Sequence, residues 1–193
     1  MNTIKETIEN TLIIKNSRFI TIIYNINDIK DIDKYLKLVK DKYKDATHYC
    51  YAYILPNNIK CSDDGEPGGT AGKPILDVLT KHNLNFILAI VVRYFGGIKL
   101  GAGGLIRAYS KCISSCLNNT ELTKLIPGKN IDIYFTYKDI NDIDLLLTIC
   151  HINNKNYQDM ISYNVNIPND LLPILENKYQ VKVNNDIYIK SDM

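Results

Sequence analysis

Phe86-Ile-Leu-Ala-Ile-Val-Val-Arg-Tyr-Phe-Gly-Gly-Ile-Lys-Leu-Gly-Ala-Gly-Gly-Leu-Ile-Arg-Ala-Tyr109 joins three kinds of local structure without a break. Phe86–Val92 is the longest apolar run of the chain. It is far too short to cross a bilayer and predicts a buried strand over Asn85–Tyr94. Gly96 and Gly97 end that strand. Gly101, Gly103 and Gly104 then open a helix predicted over Gly101–Leu117, with Leu105, Ile106, Tyr109, Ile113, Cys116 and Leu117 packed inward. A helix entered through bare backbone is suited to holding phosphate or carboxylate. Arg93, Lys99 and Arg107 add positive charge, and an arginine grips an oxyanion with two hydrogen bonds. These three cations and Gly96, Gly97, Gly101, Gly103 and Gly104 are the candidate phosphate- or RNA-binding residues. Gly101-Ala-Gly103 opens like a dinucleotide fingerprint, but the third glycine is misplaced and no ribose-binding acid follows on a second strand. Tyr94 and Phe95 are placed either to stack on bases or to join the core.

Immediately upstream, Cys61-Ser-Asp-Asp-Gly-Glu-Pro-Gly-Gly-Thr-Ala-Gly-Lys-Pro74 reads as a loop. Asp63, Asp64 and Glu66 crowd three carboxylates together, which fits a hard-cation site with oxygen ligands. The loop glycines with Thr70 and Gly72 also fit an anion cradle of backbone N–H groups. The third reading is a rigid turn in which the acids bond locally. Gly72-Lys73 is followed by Pro74, so the Walker phosphate loop does not match. His48 opens an aromatic, alternating strand, His48–Leu55, and reads either as a general base or as a hydrogen-bonded structural histidine. No nucleophile–base–acid set is legible, so no catalytic residue, metal ligand or cofactor is assigned.

The rest of the chain supplies framework. A strand pair is expected over Thr11–Ile14 and Arg18–Ile26, turning at Lys15-Asn16-Ser17. A helix follows over Ile29–Tyr43, with Ile29, Ile32, Leu36 and Val39 on one stripe and Asp28 and Asp31 at its start. Another helix covers Pro74–His82. Ile126-Pro127-Gly128-Lys129 reads as a turn or linker, which divides the chain into 1–126 and 127–193. Beyond it we expect a strand Ile131–Tyr137, a helix Asp139–Ile152 carrying Ile143, Leu146, Leu147 and Cys150 inward, a strand Met160–Ile167, a helix Asp170–Lys178 capped by Asn169, and a strand Val181–Ile189. That order predicts a two-layer α+β sandwich.

Composition narrows the function classes. The 193 residues are 46% hydrophobic and 23% charged, which fits a folded chain rather than a disordered one. Lys+Arg 23 against Asp+Glu 21 gives +2, so bulk charge excludes a histone-like binder but not a local basic face. Ile occurs 30 times and Asn 22 times, a codon-type bias that weakens any argument from surface Asn or Lys. Five cysteines without paired zinc spacing read as buried apolar residues. Met1–Asn10 is polar and lacks the apolar core of a secretory signal, so a reducing cytoplasm is expected, with no membrane partner. Nine of the ten glycines lie between Gly65 and Gly104, which puts the special backbone there.

Ser17-Arg-Phe-Ile20, Ala46-Thr-His-Tyr-Cys-Tyr-Ala52, Ser62-Asp-Asp-Gly-Glu-Pro67 with Gly69-Thr-Ala-Gly-Lys-Pro74, and Val92-Arg-Tyr-Phe-Gly-Gly-Ile-Lys-Leu-Gly101 with Gly103-Gly-Leu105 and Ala108-Tyr109 together resemble the IMPACT/YigZ family. The resemblance spans about 17–117; the segment 128–193 matches the small C-terminal domain of bacterial members in length and element order. It implies an α+β fold whose N-terminal domain resembles the second domain of a small-subunit ribosomal protein and domain IV of elongation factor G. It implies a ferredoxin-like C-terminal domain resembling domain V of that factor. Eukaryotic relatives regulate translation by competing for the activator of an initiation-factor kinase, a pathway bacteria lack. No catalytic residue carries over; what maps is a face of His48, Asp63, Asp64, Glu66, Arg93, Lys99 and Arg107. Position 68 is Gly where many members carry Ser or Ala. Three functions are then open: a translation-associated module binding RNA or the ribosome, a regulator binding a protein partner, and a Mg-dependent enzyme acting on a phosphorylated small molecule or nucleotide.

Overall fold

In the computed structural model, which describes residues 1–118 and 120–191, the apolar run lies in the middle strand of a five-stranded sheet and is buried on both faces. The first of two units, Met1–Thr123, holds β1 (Asn2–Ile4), β2 (Ile8–Ile14), β3 (Ser17–Asn25), α1 (Ile29–Lys42), β4 (His48–Leu55), β5 (Asn58–Ser62), α2 (Gly72–Lys81), β6 (Ile87–Tyr94) and α3 (Ala102–Leu117). The sheet order is β2-β3-β6-β4-β5, all antiparallel. Ile87, Ala89 and Val91 meet α2 and α3, whereas Leu88, Ile90 and Val92 meet the α1 side. A strand covered on both faces has no polar side to show, which is why β6 reads as a continuous apolar run instead of an alternating one.

Local rules account for the helices. Asp28 caps α1, accepting from the Lys30 N–H at 3.1 Å, and Asp31 reaches back to the Asp28 N–H at 3.2 Å, a capping box. Ile32 and Val39 are buried against the sheet, while Ile29, expected on the same stripe, is exposed. In α3, Leu105, Tyr109, Cys112, Ile113, Cys116 and Leu117 are buried, and Ile106 faces out, against expectation. Lys15 and Asn16 make the β2–β3 turn with φ of 44° and 63°, the twisted two-residue geometry that suits a hairpin.

The second unit, Lys124–Met193, completes β7 (Leu122–Phe135) and adds α4 (Ile140–Leu146), β8 (His151–Tyr157), β9 (Ile161–Pro168), α5 (Leu172–Glu176) and β10 (Gln180–Lys190). Its strands pair antiparallel in the order β8-β9-β7-β10. Element order and strand order are those of the β-α-β-β-α-β ferredoxin-like motif. Ile131, Ile133, Ile143, Tyr163, Val165 and Leu175 form its own core.

Three expectations fail here. Pro127-Gly128 is not a linker: it lies inside β7, with Pro127 opposite Tyr188 and Gly128 opposite both Ile187 and Pro168. The helix expected over Asp139–Ile152 stops at Leu146, and His151–Tyr157 is a strand whose side chains are almost all exposed, so it carries no apolar alternation to read. Asn169 does not cap α5; it begins a short 3-10 turn that precedes the helix. β5 likewise carries only half-buried and exposed residues, so it leaves no apolar alternation in the sequence.

Candidate functional site

The acidic loop turns its carboxylates apart, and only Glu66 is buried. Asp63 Oδ2 accepts from the Gly69 N–H at 2.8 Å, and Oδ1 from the N–H groups of Ala71 and Gly72 at 2.9 and 2.8 Å. The Asp63 carboxylate thus closes the loop and caps the start of α2 from a distance. Partial burial raises its pKa, but the three charge-assisted backbone bonds outweigh that and hold it below the ordinary carboxylate value. Asp64 accepts from the Tyr49 N–H at 2.6 Å, and its carbonyl lies 2.8 Å from His48 Nδ1. Thr70 donates from both N–H and Oγ1 to the Pro67 carbonyl at 3.0 and 2.6 Å. The N–H groups of the anion-cradle reading are therefore used internally, those of Gly69, Ala71 and Gly72 by Asp63 and that of Thr70 by the Pro67 carbonyl.

Glu66 goes deepest. It is 7% exposed and pairs with Arg93, itself 5% exposed, through Arg93 Nη1 and Glu66 Oε1 at 2.5 Å. The Tyr109 hydroxyl donates to the same oxygen at 2.7 Å, and His48 Nε2 stands 3.8 Å from Oε2. Arg93 Nη2 reaches Ser17 Oγ at 3.4 Å. Cys50 Sγ lies 3.3 Å from the Tyr109 hydroxyl and 2.9 Å from the Asp63 carbonyl. Burial pushes the Cys50 thiol up to about 12, so it is no thiolate nucleophile at neutral pH. Burial likewise drives the Tyr109 hydroxyl up, with Cys50 adding to the effect. The β4–β6 register explains the meeting: His48 lies opposite Arg93, both on the face that α2 and α3 cover.

Arg93 thus leaves the set of phosphate-contacting candidates. Its charge is answered by Glu66, and solvent hardly reaches it. The three carboxylates answer to three separate sets of partners, which removes the converging ligands that the Mg-dependent reading requires. Among the described residues no group of three or more His, Cys, Asp and Glu is placed to hold a metal ion.

The second glycine stretch is different. Gly96 donates to Ser17 Oγ at 3.2 Å and lies so close to Asn16 that a Cβ would fall 2.1 Å from its carbonyl carbon and oxygen. Gly101 enters α3 at φ 73°, a conformation L side chains resist, and offers no side chain to cap the helix. The first intrahelical bond runs from the Leu105 N–H to the Gly101 carbonyl at 2.9 Å, so Ala102, Gly103 and Gly104 present N–H groups ahead of it. Glu66, Pro67, Arg93, Phe95, Lys99 and Leu100 border a cavity of about 340 Å³ at this entrance, with Ala102 and Leu105 behind. On the other side of Leu100, Lys15, Arg107 and Lys111 line a depression of about 200 Å³ with no acidic residue in its wall. Among the described residues none of Lys15, Lys99, Arg107 and Lys111 has an acidic partner within ion-pair distance.

Lys99 and Arg107 are thus exposed as expected, and the structure adds Lys15 and Lys111 to them. Lys111 was legible as the residue one helical turn after Arg107. Lys15 was not, because it arrives through the Gly96–Asn16 contact. Phe95 is exposed and lies under the Arg93 guanidinium, whose Cζ is 5.6 Å from the ring; Tyr94 is half-buried with the Arg18 Cζ 4.3 Å over its ring. No helix is long and apolar enough to cross a membrane among the described residues.

A family model described as the Impact N-terminal domain matches residues 15–117. The protein named IMPACT family member YvyE from Bacillus subtilis is 47% identical over 120 residues, covering 61% of this chain and 55% of its own length. IMPACT family member YigZ from Escherichia coli is 35% identical over 162 residues, 80% of this chain and 79% of that protein. A solved structure described as an hypothetical protein superposes with a TM-score of 0.69 at 29% identity, covering 95% of this chain and 97% of that one.

Proposed function

Because the chain belongs to the IMPACT family, we propose that it is a translation-associated regulatory protein that works by binding, not catalysis, and that it engages RNA or the ribosome through the cations around the start of α3. The observation that carries this reading is the set Lys15, Lys99, Arg107 and Lys111, four exposed positive charges with no acidic partner among the described residues, beside an uncapped helix entrance. Phosphate is the ligand chemistry such a surface answers, through charge and free N–H groups together. The likeness of the two units to domains IV and V of elongation factor G, implied by the family resemblance, belongs to this proposal, as does a place in the cytoplasm. Exposed Phe95 and Ile98 beside the cations favour a second reading, a protein partner docked on the same rim.

The test is binding of the full chain to labelled single-stranded RNA, by anisotropy, and to ribosomes, by cosedimentation. The triple variant Lys15→Ala, Arg107→Ala, Lys111→Ala should lose at least about tenfold in affinity, each lost phosphate contact weakening binding without regard to sequence. Unchanged affinity in that variant, or no binding by the parent at low salt, removes the proposal. Capture of a protein that survives nuclease treatment and is lost on Phe95→Ala would favour the second reading.

A further inference from the structure

We propose that the cavity beside the end of β6 takes one unpaired base of a single-stranded RNA, stacked on Phe95, while the neighbouring phosphates lie on the cations across Leu100. This rests on the reading of Lys15, Lys99, Arg107 and Lys111 as a phosphate surface, and adds which form of RNA that surface selects. Phe95 is a large aromatic side chain left 45% exposed in the cavity wall. It is held in place: its N–H donates to Thr47 Oγ1 at 3.0 Å, and the Arg93 guanidinium, itself paired with Glu66, lies over the ring at 5.6 Å. A ring fixed before its ligand arrives is a stacking platform that loses little freedom on binding. Pro67, Leu100 and Leu105 add to the apolar wall, and a volume of about 340 Å³ lies in the range of small-ligand pockets, ample for one base.

Position and charge decide which part of a nucleotide goes where. Leu100 belongs to the wall of the cavity and to that of the depression lined by Lys15, Arg107 and Lys111, so the two are adjacent. An apolar recess one side chain away from a cationic one matches the make-up of a nucleotide, an uncharged base on one side and phosphate on the other. Glu66, though paired, puts a carboxylate in the cavity wall, whereas the depression has no acidic residue. Phosphate is therefore favoured in the depression and the base in the cavity. A duplex keeps its bases stacked and paired, and none reaches Phe95 unless the duplex opens; a single strand offers its bases already free. Stacking on a phenyl face is tolerant of base identity, so the selection is for strandedness and not for sequence.

The experiment is anisotropy of the full chain at low salt with three labelled probes of about twelve nucleotides: a single RNA strand, the duplex of the same sequence, and a strand of the same length whose nucleotides are abasic. The abasic strand carries the same phosphates, so its deficit reads the base alone. The parent should bind the single strand at least about fivefold tighter than either other probe. Phe95→Ala should remove that preference and leave the abasic affinity, the salt slope and the melting temperature near the parent's. The triple variant Lys15→Ala, Arg107→Ala, Lys111→Ala should weaken all three probes. The chain has no tryptophan, so Phe95→Trp places a single indole at the site. That variant should keep the single-strand affinity, and its emission should be quenched at saturation by the single strand and not by the abasic one. Equal affinity of the parent for the single and abasic strands, a Phe95→Ala variant that binds like the parent, or indole emission that the single strand leaves unchanged would each overturn the base site while the phosphate surface stands. No binding of any probe by the parent would overturn both.

Discussion

Glu66 and Arg93 bury two opposite charges where one alone could not stay. Tyr109 and Ser17 add hydrogen bonds to the pair. Removing one partner strands the other, and Glu66→Ala should cost about 3–5 kcal/mol in a urea melt. The double variant Glu66→Met with Arg93→Met should recover most of that, because two apolar residues need no partners. A double variant no more stable than the single would show that packing, not charge, is what Glu66 supplies. Asp63 acts through linkage to protons. Its folded pKa lies below the unfolded value near ~3.9. Its stabilisation is therefore complete above the unfolded value and is lost as pH falls through the folded one. Asp63→Asn should thus be less stable than the parent at pH 7, with the difference shrinking steadily below about pH 4. Urea midpoints measured from pH 7 down to acid check this; a difference that stays constant would mean that the carboxylate charge is not what closes the loop.

At the scale of elements, the glycines divide by what they do. Those before α2 let the loop wrap around Asp63, which takes the N–H groups of Gly69 and Gly72. Gly96 lets the end of β6 touch the β2–β3 turn, which carries Lys15 toward Arg107 and Lys111. A methyl group at 96 meets backbone that has no rotamer to yield. Gly96→Ala should cost about 1–3 kcal/mol in stability, or more, and should weaken RNA binding beyond what thermal stability explains, since the turn must back away. If stability falls and RNA affinity at low temperature does not, the turn does not contribute its cation. The second unit shows a different element-scale feature. Asn130, Asn153, Asn164, Asn166 and Asn184 bond one another across the open face of the sheet, at 2.8 to 3.1 Å. These amides satisfy each other, so the face stays polar without offering free charge.

Across the whole molecule, a net charge of +2 conceals a concentrated surface. Several cations elsewhere are matched, as in Lys42 with Glu9, Lys73 with Asp77 and Lys129 with Asp186. Around the start of α3 they are not. RNA binding carried by four such cations should fall with salt at a log–log slope of about −3, at roughly 0.7 per contact on a single strand. A slope near zero would mean that the surface binds by apolar contact, which is the protein-partner reading. Three cores, one on each side of the first sheet and one inside the second unit, give each unit its own reason to fold.

Periodicity alone was enough for the long elements of the first unit. β3, α1, β4, β6 and α3 lie within a residue or two of where spacing puts them, because each buries a face wide enough to leave a pattern. The motifs also carried the family. What the sequence by itself left open was the use of the charged residues, since Arg93 and Arg107 differ in nothing a one-dimensional reading can weigh. The fold separates them. β6 delivers Arg93 into a covered face beside a buried carboxylate, and α3 holds Arg107 out beside Lys111. A charge is quenched or offered according to what lies within a few ångströms in space, and those neighbours come from segments distant in the chain.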